Sequence, residues 1–294
     1  MCLGKLTTTW KSASSIILAS TKSRRILMLK RGNTASFMPN SMVFPGGIVE
    51  KSDAKFGEQY RIAAIRELFE ESGVLLTKNG FETSDGNEDL KKIKMDIVKN
   101  SDIFENFKNK IDADQLIEWD TFLTPATNPK RFFTKFFVAL VEDEPQIDLC
   151  TSEMSEYVWV DPLECVKNAF DGKFTLPPPQ VYELTRLSQV NDWKKLENFG
   201  NTKQVICPQP IKTISQNSIT NTFPGDYLYI DSDCFNQPLR QLPSEEIAVF
   251  KDKPTHRATY QSKPIYTKCE IYQHNLESKF RENFHQFETH SKYL

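Results

Sequence analysis

The chain has 294 residues, 39 % of them hydrophobic, 26 % charged and 12 % aromatic, which is enough apolar material for a sizeable core. A formal net charge of −2 supplies no global electrostatic pull toward nucleic acid or a membrane surface, so neither partner is expected. Six cysteines stand apart without a CxxC pair in a chain too large to need disulfide staples, and no run approaches the roughly 18 apolar residues of a membrane span, so a reducing, intracellular setting is expected.

Taken from the N-terminus, Ser14–Ala19 (SSIILA) and Ile26–Leu29 (ILML), split by the polar STKSRR, predict a strand, a turn and a strand. In VFPGGIVE, Pro45-Gly46-Gly47 predicts a turn or loop whose backbone lies close to something bound. From about Gly57 the period becomes helical, with Ile62, Ile65, Leu68 and Phe69 on one side and Gly73 as the stop. Lys78–Trp119 is polar, with helical stretches in NEDLKKIKMDIVKN and in DADQLIEW, where Asp112 would cap; this excursion would form a lid or wall. RFFTKFFVALV and EYVWV predict central strands, and LPPPQVYELTRL a helix whose prolines suit its first turn. Beyond about residue 200 the chain is Pro-, Asn- and Ser-rich. Its pieces GDYLYID, HRATYQ and IYTKCEIYQ predict a β-rich extension over 201–294 that ends in a polar helix, packed on a main domain over 8–200. The last residues, SKYL, are close to a peroxisomal S-K-L tail but carry Tyr293 in place of Lys, which leaves peroxisome, mitochondrion and cytosol open.

The densest chemistry lies in RELFEESG. At about 100° per residue, Glu67, Glu70 and Glu71 share one narrow sector of the helix, opposite its apolar side chains. Carboxylates spaced i, i+3 and i+4 repel, so a compensating charge is expected, and a hard divalent cation such as Mg²⁺ or Mn²⁺ suits an all-oxygen donor set. Arg66 is spaced to reach Glu70 and orient it. The glycines just upstream, Gly46 and Gly47, leave backbone groups free to hold a phosphate beside the metal.

This segment resembles the Nudix box, a Gly, five residues, Glu, seven residues and then R-E-U-x-E-E-x-G-U with U apolar. The second half is complete from Arg66 to Val74, and Glu58 stands seven residues before Arg66. In the first half, Gly47 precedes Glu58 by ten residues instead of five, as though five residues had been inserted, and Asp53 is the alternative acid at the proper distance from Gly47. The resemblance implies an α/β fold, the Nudix α/β/α sandwich with a mixed sheet, here with a helical insertion and the β-rich C-terminal extension. It implies Glu67 and Glu71 as metal ligands with Glu70 adjacent, and Arg66 among the catalytic residues.

Together with FMPNSMVFPGG, FLTPATNPKRFFTKFFVAL, YVWVDP, LPPPQVYELTRL and FPGDYLYIDSD, the insertion resembles the nucleoside diphosphate-linked moiety X motif 19 group over nearly the whole chain. That resemblance implies cleavage of the pyrophosphate of coenzyme A (CoA) and acyl-CoA, a small-molecule nucleotide substrate. Hydrolysis of another nucleoside diphosphate, such as ADP-ribose, NADH or capped RNA, and an inactive binding protein are the alternatives. Secondary candidates are Arg131 and Lys135, which alternate onto one face of their strand and could hold a phosphate, and Glu153 and Glu156 near a strand start, as additional metal ligands or solvated acids.

Overall fold

In the computed structural model, which describes residues 6–33, 35, 38–198, 204–214, 216–263 and 265–276, the first predicted strand is the middle of β1 (Lys11–Ser20). Side chains alternate between the faces of a strand, and both faces of this one are apolar: Ile16 and Leu18 enter one core cluster, Ile17 and Ala19 another. Such a strand has to be covered on both sides, and that requirement sets the layers.

β1 pairs antiparallel with β2 (Arg25–Arg31) at one end and with the short β4 (Gly46–Ile48) at the other, while β3 (Met42–Val43) joins β2. After α1 (Gln59–Ser72) come a hairpin of β5 (Val74–Thr77) and β6 (Gly80–Thr83), α2 (Glu88–Lys99) and β7 (Ile117–Leu123). β8 (Phe132–Val141) then runs parallel to β1, from Lys11 opposite Phe132 to Ser20 opposite Val141, and antiparallel to β7. β9 (Met154–Val160) closes the seven-stranded mixed sheet on the far edge of β2.

α1 lays Ile62, Ile65, Leu68 and Phe69 on the face that carries Ile16, Leu18 and Phe137. On the opposite face, α3 (Pro162–Phe170) and α4 (Pro178–Ser188) cover Ile17, Phe136 and Val138 with Cys165, Val181, Tyr182 and Leu184. The result is an α/β/α sandwich. Outside α3 and α4 lies a five-stranded sheet of β10 (Gln209–Thr213), β11 (Ser218–Thr222), β12 (Arg240–Leu242), β13 (Thr255–Ser262) and β14 (Ile265–His274), ordered β12-β10-β11-β13-β14, whose Ala258, Tyr260 and Ile271 join the same cluster.

Several local expectations hold. Gly73 ends α1 with φ 75° and donates its N–H to Phe69 O, a left-handed cap that an L side chain would strain. α4 begins at Pro178, where a missing N–H costs nothing. The excursion is a wall and not a lid: α2, capped by Asn87, and the 3-10 turn after it bury Leu90, Ile97, Phe104 and Phe107 against α1, with Phe107 edge-on to Phe69 at 5.7 Å.

Others need correction. Pro45-Gly46-Gly47 is no open loop, because Gly46 and Gly47 pair with Ser15 and Ser14 as β4. DADQLIEW is not a helix. The Asp112 carboxylate accepts the Asp114 N–H to make a turn, and Ile117 onward is drawn into β7 by pairing with β8. β9 is an edge strand instead of a central one. GDYLYID forms turns, because Asp226 spends its carboxylate on the Leu228 N–H and on both sides of the Arg257 guanidinium. The expected terminal helix and the SKYL tail lie outside the described residues.

Candidate active site

The strand pairing of β4 with β1 carries two glycines onto the acidic side of α1, and each is required for a different reason. A Cβ on Gly46 would lie 2.4 Å from Ser14 O, so only glycine lets the strands approach. A Cβ on Gly47 would lie 2.4 Å from Glu67 Oε1. What these glycines approach is the carboxylates of α1 itself: the Gly46 N–H donates to Glu71 Oε2 at 3.0 Å.

Arg66 organises the rest from within. Its Nε and one terminal nitrogen grip Asp53 Oδ1 and Oδ2 at 2.9 and 3.0 Å, the other terminal nitrogen bridges Glu67 Oε1 and Glu70 Oε1 at 3.0 Å each, and Ile48 O accepts at 2.9 Å. Asp53 also accepts the Glu50 N–H at 2.8 Å. Of the two candidate upstream acids, Asp53 is thus the one in the site. The Glu58 side chain is 67 % exposed and pairs with Arg61 at 3.3 Å.

The acidic face is not a solvated surface. Glu71 is only 3 % exposed, and burial, then repulsion from Glu67 and Glu153, raises its carboxyl well above the usual range against the Gly46 N–H and Arg31. Burial likewise pushes Glu67 up to about 7, with Glu70 and Glu153 adding to it and Arg66 opposing. Glu70 is raised by burial as well, in spite of Arg66. More negative charge is therefore gathered than the local cations compensate.

That imbalance bears on whether a metal fits. Among the described residues no three His, Cys, Asp or Glu side chains converge into a finished cage. Mg²⁺ is ordinarily held by one or two carboxylates, with waters and substrate phosphates completing the octahedron, and Glu67 and Glu71, undercompensated one helical turn apart, match that mode. Among the described residues no histidine competes: His256 is buried between Tyr182 OH and Pro224 O, and His274 bonds Lys251 O, while His285 and His290 lie outside the described residues.

Arg131 stands away from this cluster, contrary to the expected phosphate role. Its guanidinium is taken up by Thr124 O, Thr7 O and Phe235 O at 2.7, 2.7 and 2.6 Å and by Asn236 Oδ1 at 3.4 Å, so every one of its nitrogens is engaged in tying separate segments together. Lys135 is paired with Glu118 at 3.1 Å and lies over the Tyr60 ring, outside the acidic cluster. Glu153 is near enough to raise all three helix glutamates, whereas Glu156 pairs with Lys30 at 3.3 Å. Arg31, which sequence reasoning passed over, is a cation whose charge favours the ionised form of Glu71; its only signal was an arginine at a strand end before glycine.

Residues 57–187 match the family model described as NUDT19 Nudix domain, and residues 9–102 that described as NUDIX domain. A Caenorhabditis elegans protein named "Putative nudix hydrolase 7" is 62 % identical over 294 residues, covering 100 % of both chains. Proteins named acyl-coenzyme A diphosphatase NUDT19 are more distant: that of Xenopus laevis is 27 % identical over 75 % of this chain and 81 % of its own, and the human one 23 % over 87 % and 90 %. Among solved structures, a NUDIX hydrolase from Alicyclobacillus acidocaldarius superposes with a TM-score of 0.57 at 21 % identity, over 65 % of this chain and 96 % of that one, a likeness of fold.

Proposed function

The chain belongs to the Nudix hydrolases, and on that premise we propose that it hydrolyses the pyrophosphate bond of CoA and acyl-CoA, giving adenosine 3',5'-bisphosphate and 4'-(acyl)phosphopantetheine, with Mg²⁺ or Mn²⁺. The observation that carries the hydrolytic part is the buried, undercompensated pair Glu67 and Glu71 against Gly46 and Gly47. The substrate part is supported by the match of residues 57–187 to the NUDT19 Nudix domain and by the names of the distant relatives. In this reading residues 8–200 form the catalytic unit, and the described part of the 201–294 extension packs on it through Ala258, Tyr260 and Ile271.

A divalent cation held by Glu67 and Glu71, with Glu70 adjacent, would neutralise pyrophosphate oxygens and acidify a water. The chain's own work is positional. Arg66, locked on Asp53, holds Glu67 and Glu70 in one orientation, and the Gly46 N–H holds Glu71. The water oxygen bonds to one phosphorus, the bridging P–O bond breaks, and its electron pair leaves on the second phosphate. The water proton passes to the helix carboxylates, which share it as coupled acids.

The test is product analysis with Mg²⁺ or Mn²⁺ on CoA, acyl-CoA, ADP-ribose, NADH and capped RNA, beside Glu71→Gln. Adenosine 3',5'-bisphosphate released from CoA esters, and lost in a folded Glu71→Gln, is the expected result. Cleavage of another member of the panel alone would replace the substrate, and undiminished turnover in the variant would remove Glu71 from the reaction.

A further inference from the structure

β9 is the outer strand of the seven-stranded sheet, with β2 on one side and no strand on the other. Backbone groups along a paired strand point alternately to its two sides, so the contacts of β2 fix which groups of β9 face outward. The Arg31 N–H donates to Ser41 O at 3.0 Å and Arg31 O accepts from Asn40 at 3.2 Å, so Arg31 addresses the β3 side. Lys30, Met28 and Ile26 therefore address β9, opposite Glu156, Val158 and Val160. That leaves the N–H and C=O groups of Tyr157 and Trp159 directed away from the sheet, and none of them has a partner among the described residues. The Tyr157 side chain stands 40 % exposed beside them.

Open edges invite pairing with another chain, and folded proteins blunt them with brevity, proline, bulges, charge or a covering segment. Other edges of this molecule are blunted. β7 carries a register shift between Glu118 and Thr121 and is covered by Ile206, whose N–H bonds Thr121 O and whose carbonyl takes the Leu123 N–H. β12 has 3 residues and runs into Pro243. The pairing of β14 is broken by register shifts around Gln261, with Tyr266 and Lys268 at positive φ. In β9 the shift lies at the start of the strand, so Glu156–Val160 (EYVWV) stay in register, without proline or lysine. The single charge there, Glu156, is paired with Lys30 at 3.3 Å.

We propose that β9 is the pairing edge of a twofold-symmetric homodimer, in which two copies of the strand run antiparallel across an axis at Val158. A twofold contact must match itself, and EYVWV does so about its central residue. Pairing there puts Tyr157 opposite the partner's Trp159 on one face, and Trp159 opposite the partner's Tyr157, each pair exchanging both N–H···O bonds through the outward groups. On the other face Val158 meets the partner's Val158, and Glu156 is set against the partner's Val160. Val160 lines one cleft with Arg25, which is exposed at the start of β2 and makes no ion pair among the described residues, so the acid of one copy arrives beside the unpaired cation of the other. An axis at Tyr157 would instead set Trp159 against Ser155, in the irregular stretch, and one at Trp159 would run into Asp161, which caps α3. The pairing is independent of the hydrolase reading, since it uses no residue of the acidic cluster.

The experiment is sedimentation velocity on the full chain over a range of about 1 to 100 µM. Beside the wild type stand Val158→Lys, which puts two like charges on the axis, and Tyr157→Lys, whose side chain is already exposed; urea denaturation checks that each is folded. The wild type should show a concentration-dependent dimer, and each folded variant a Kd raised by about 10- to 100-fold. Single cysteines read the register. Under copper–phenanthroline oxidation, Val158→Cys should link two chains well above the wild-type background, because the two side chains meet on the axis. Tyr157→Cys and Trp159→Cys, each opposite the other position, should not. A wild type that stays monomeric throughout would overturn the pairing and leave the edge to an extended segment of another protein. A dimer left intact by both folded lysine variants would overturn it as well, by placing the interface elsewhere, and linkage through Tyr157→Cys in preference to Val158→Cys would overturn the axis.

Discussion

Gly47→Ala separates position from stability at this site. The new Cβ would fall 2.4 Å from Glu67 Oε1, 2.5 Å from Cδ and 2.7 Å from Oε2, about 1 Å inside van der Waals contact. Those atoms are the end of a flexible side chain, so the carboxylate moves and the backbone stays. An off-rotamer Glu67 costs about 1 kcal/mol, and replacing a strand glycine by alanine returns roughly 0.5–1 kcal/mol, so the urea midpoint should hardly change. Displacing a reacting group by about 1 Å is worth about 10² in rate, or roughly 2.7 kcal/mol. Gly46→Ala is the contrast: its Cβ meets Ser14 O at 2.4 Å and Ser15 Cα at 2.7 Å, both backbone of the adjoining strand, so it should cost about 2 kcal/mol or more of stability. Steady-state kcat/KM and urea unfolding on both variants check this. A folded Gly47→Ala enzyme with turnover within about twofold of wild type would show that the seat of the Glu67 carboxylate does not matter to the reaction.

Two further variants and one pH series bear on the rest of the fold. Asp53→Asn, which strips the buried partner from Arg66, should cost about 3 kcal/mol and more than tenfold in turnover, whereas the exposed Glu58→Gln should stay within about 0.5 kcal/mol; equal effects from the two would remove Asp53 from its role. His256 donates its Nδ1–H to Pro224 O and accepts Tyr182 OH at Nε2, and burial lowers its pKa from 6.5 to about 4. The folded chain keeps it neutral while the unfolded chain protonates it first, so its share of stability is complete above about pH 6.5 and falls away toward pH 4. The loss should reach about 2.5 kcal/mol by pH 4.5. Unfolding of His256→Asn should show a correspondingly shallower acid slope, and an unchanged slope would mean that His256 is already charged in the fold.

How much of this was legible beforehand depends on how local each interaction is. α1, its left-handed stop at Gly73 and the reach of Arg66 to Glu70 are set by spacings within one element, and the structure has them as the residues suggest. Arg131 was misread because its acceptors come from the preceding loop at Thr124 and from the remote Thr7, Phe235 and Asn236, none of which strand alternation reports. Arg31 was passed over because its charge acts on Glu71 from another element, which spacing within α1 does not report. In DADQLIEW, Leu116 and Trp119 are spaced as in a helix, yet pairing with β8 prevails, and Trp119 is buried on the α4 side with its Nε1 on Glu183.

The interrupted box shows which spacing the chemistry needs. Arg66 requires an acid at one point in space, and Asp53 supplies it with five residues between it and Gly47; what is added falls between Asp53 and α1, where it winds into a 3-10 turn over Asp53–Phe56 and leaves through Gly57 at φ 95°. This detour leans on the helical excursion. Ser52 meets Ser101 at 3.0 Å, Lys55 pairs with Asp102 and Glu105 at 3.1 Å each, and the Phe56 ring lies 6.1 Å from that of Phe104. The exposed ion pairs add little by themselves. The ring contact, however, joins the detour to the Phe104–Phe107–Phe69 stack on α1, so the added residues are packed onto the very helix whose entry they lengthen. A longer path into the helix is compatible with a fixed Arg66–Asp53 pair because both ends of the detour, the buried carboxylate and the aromatic contact, are anchored to α1.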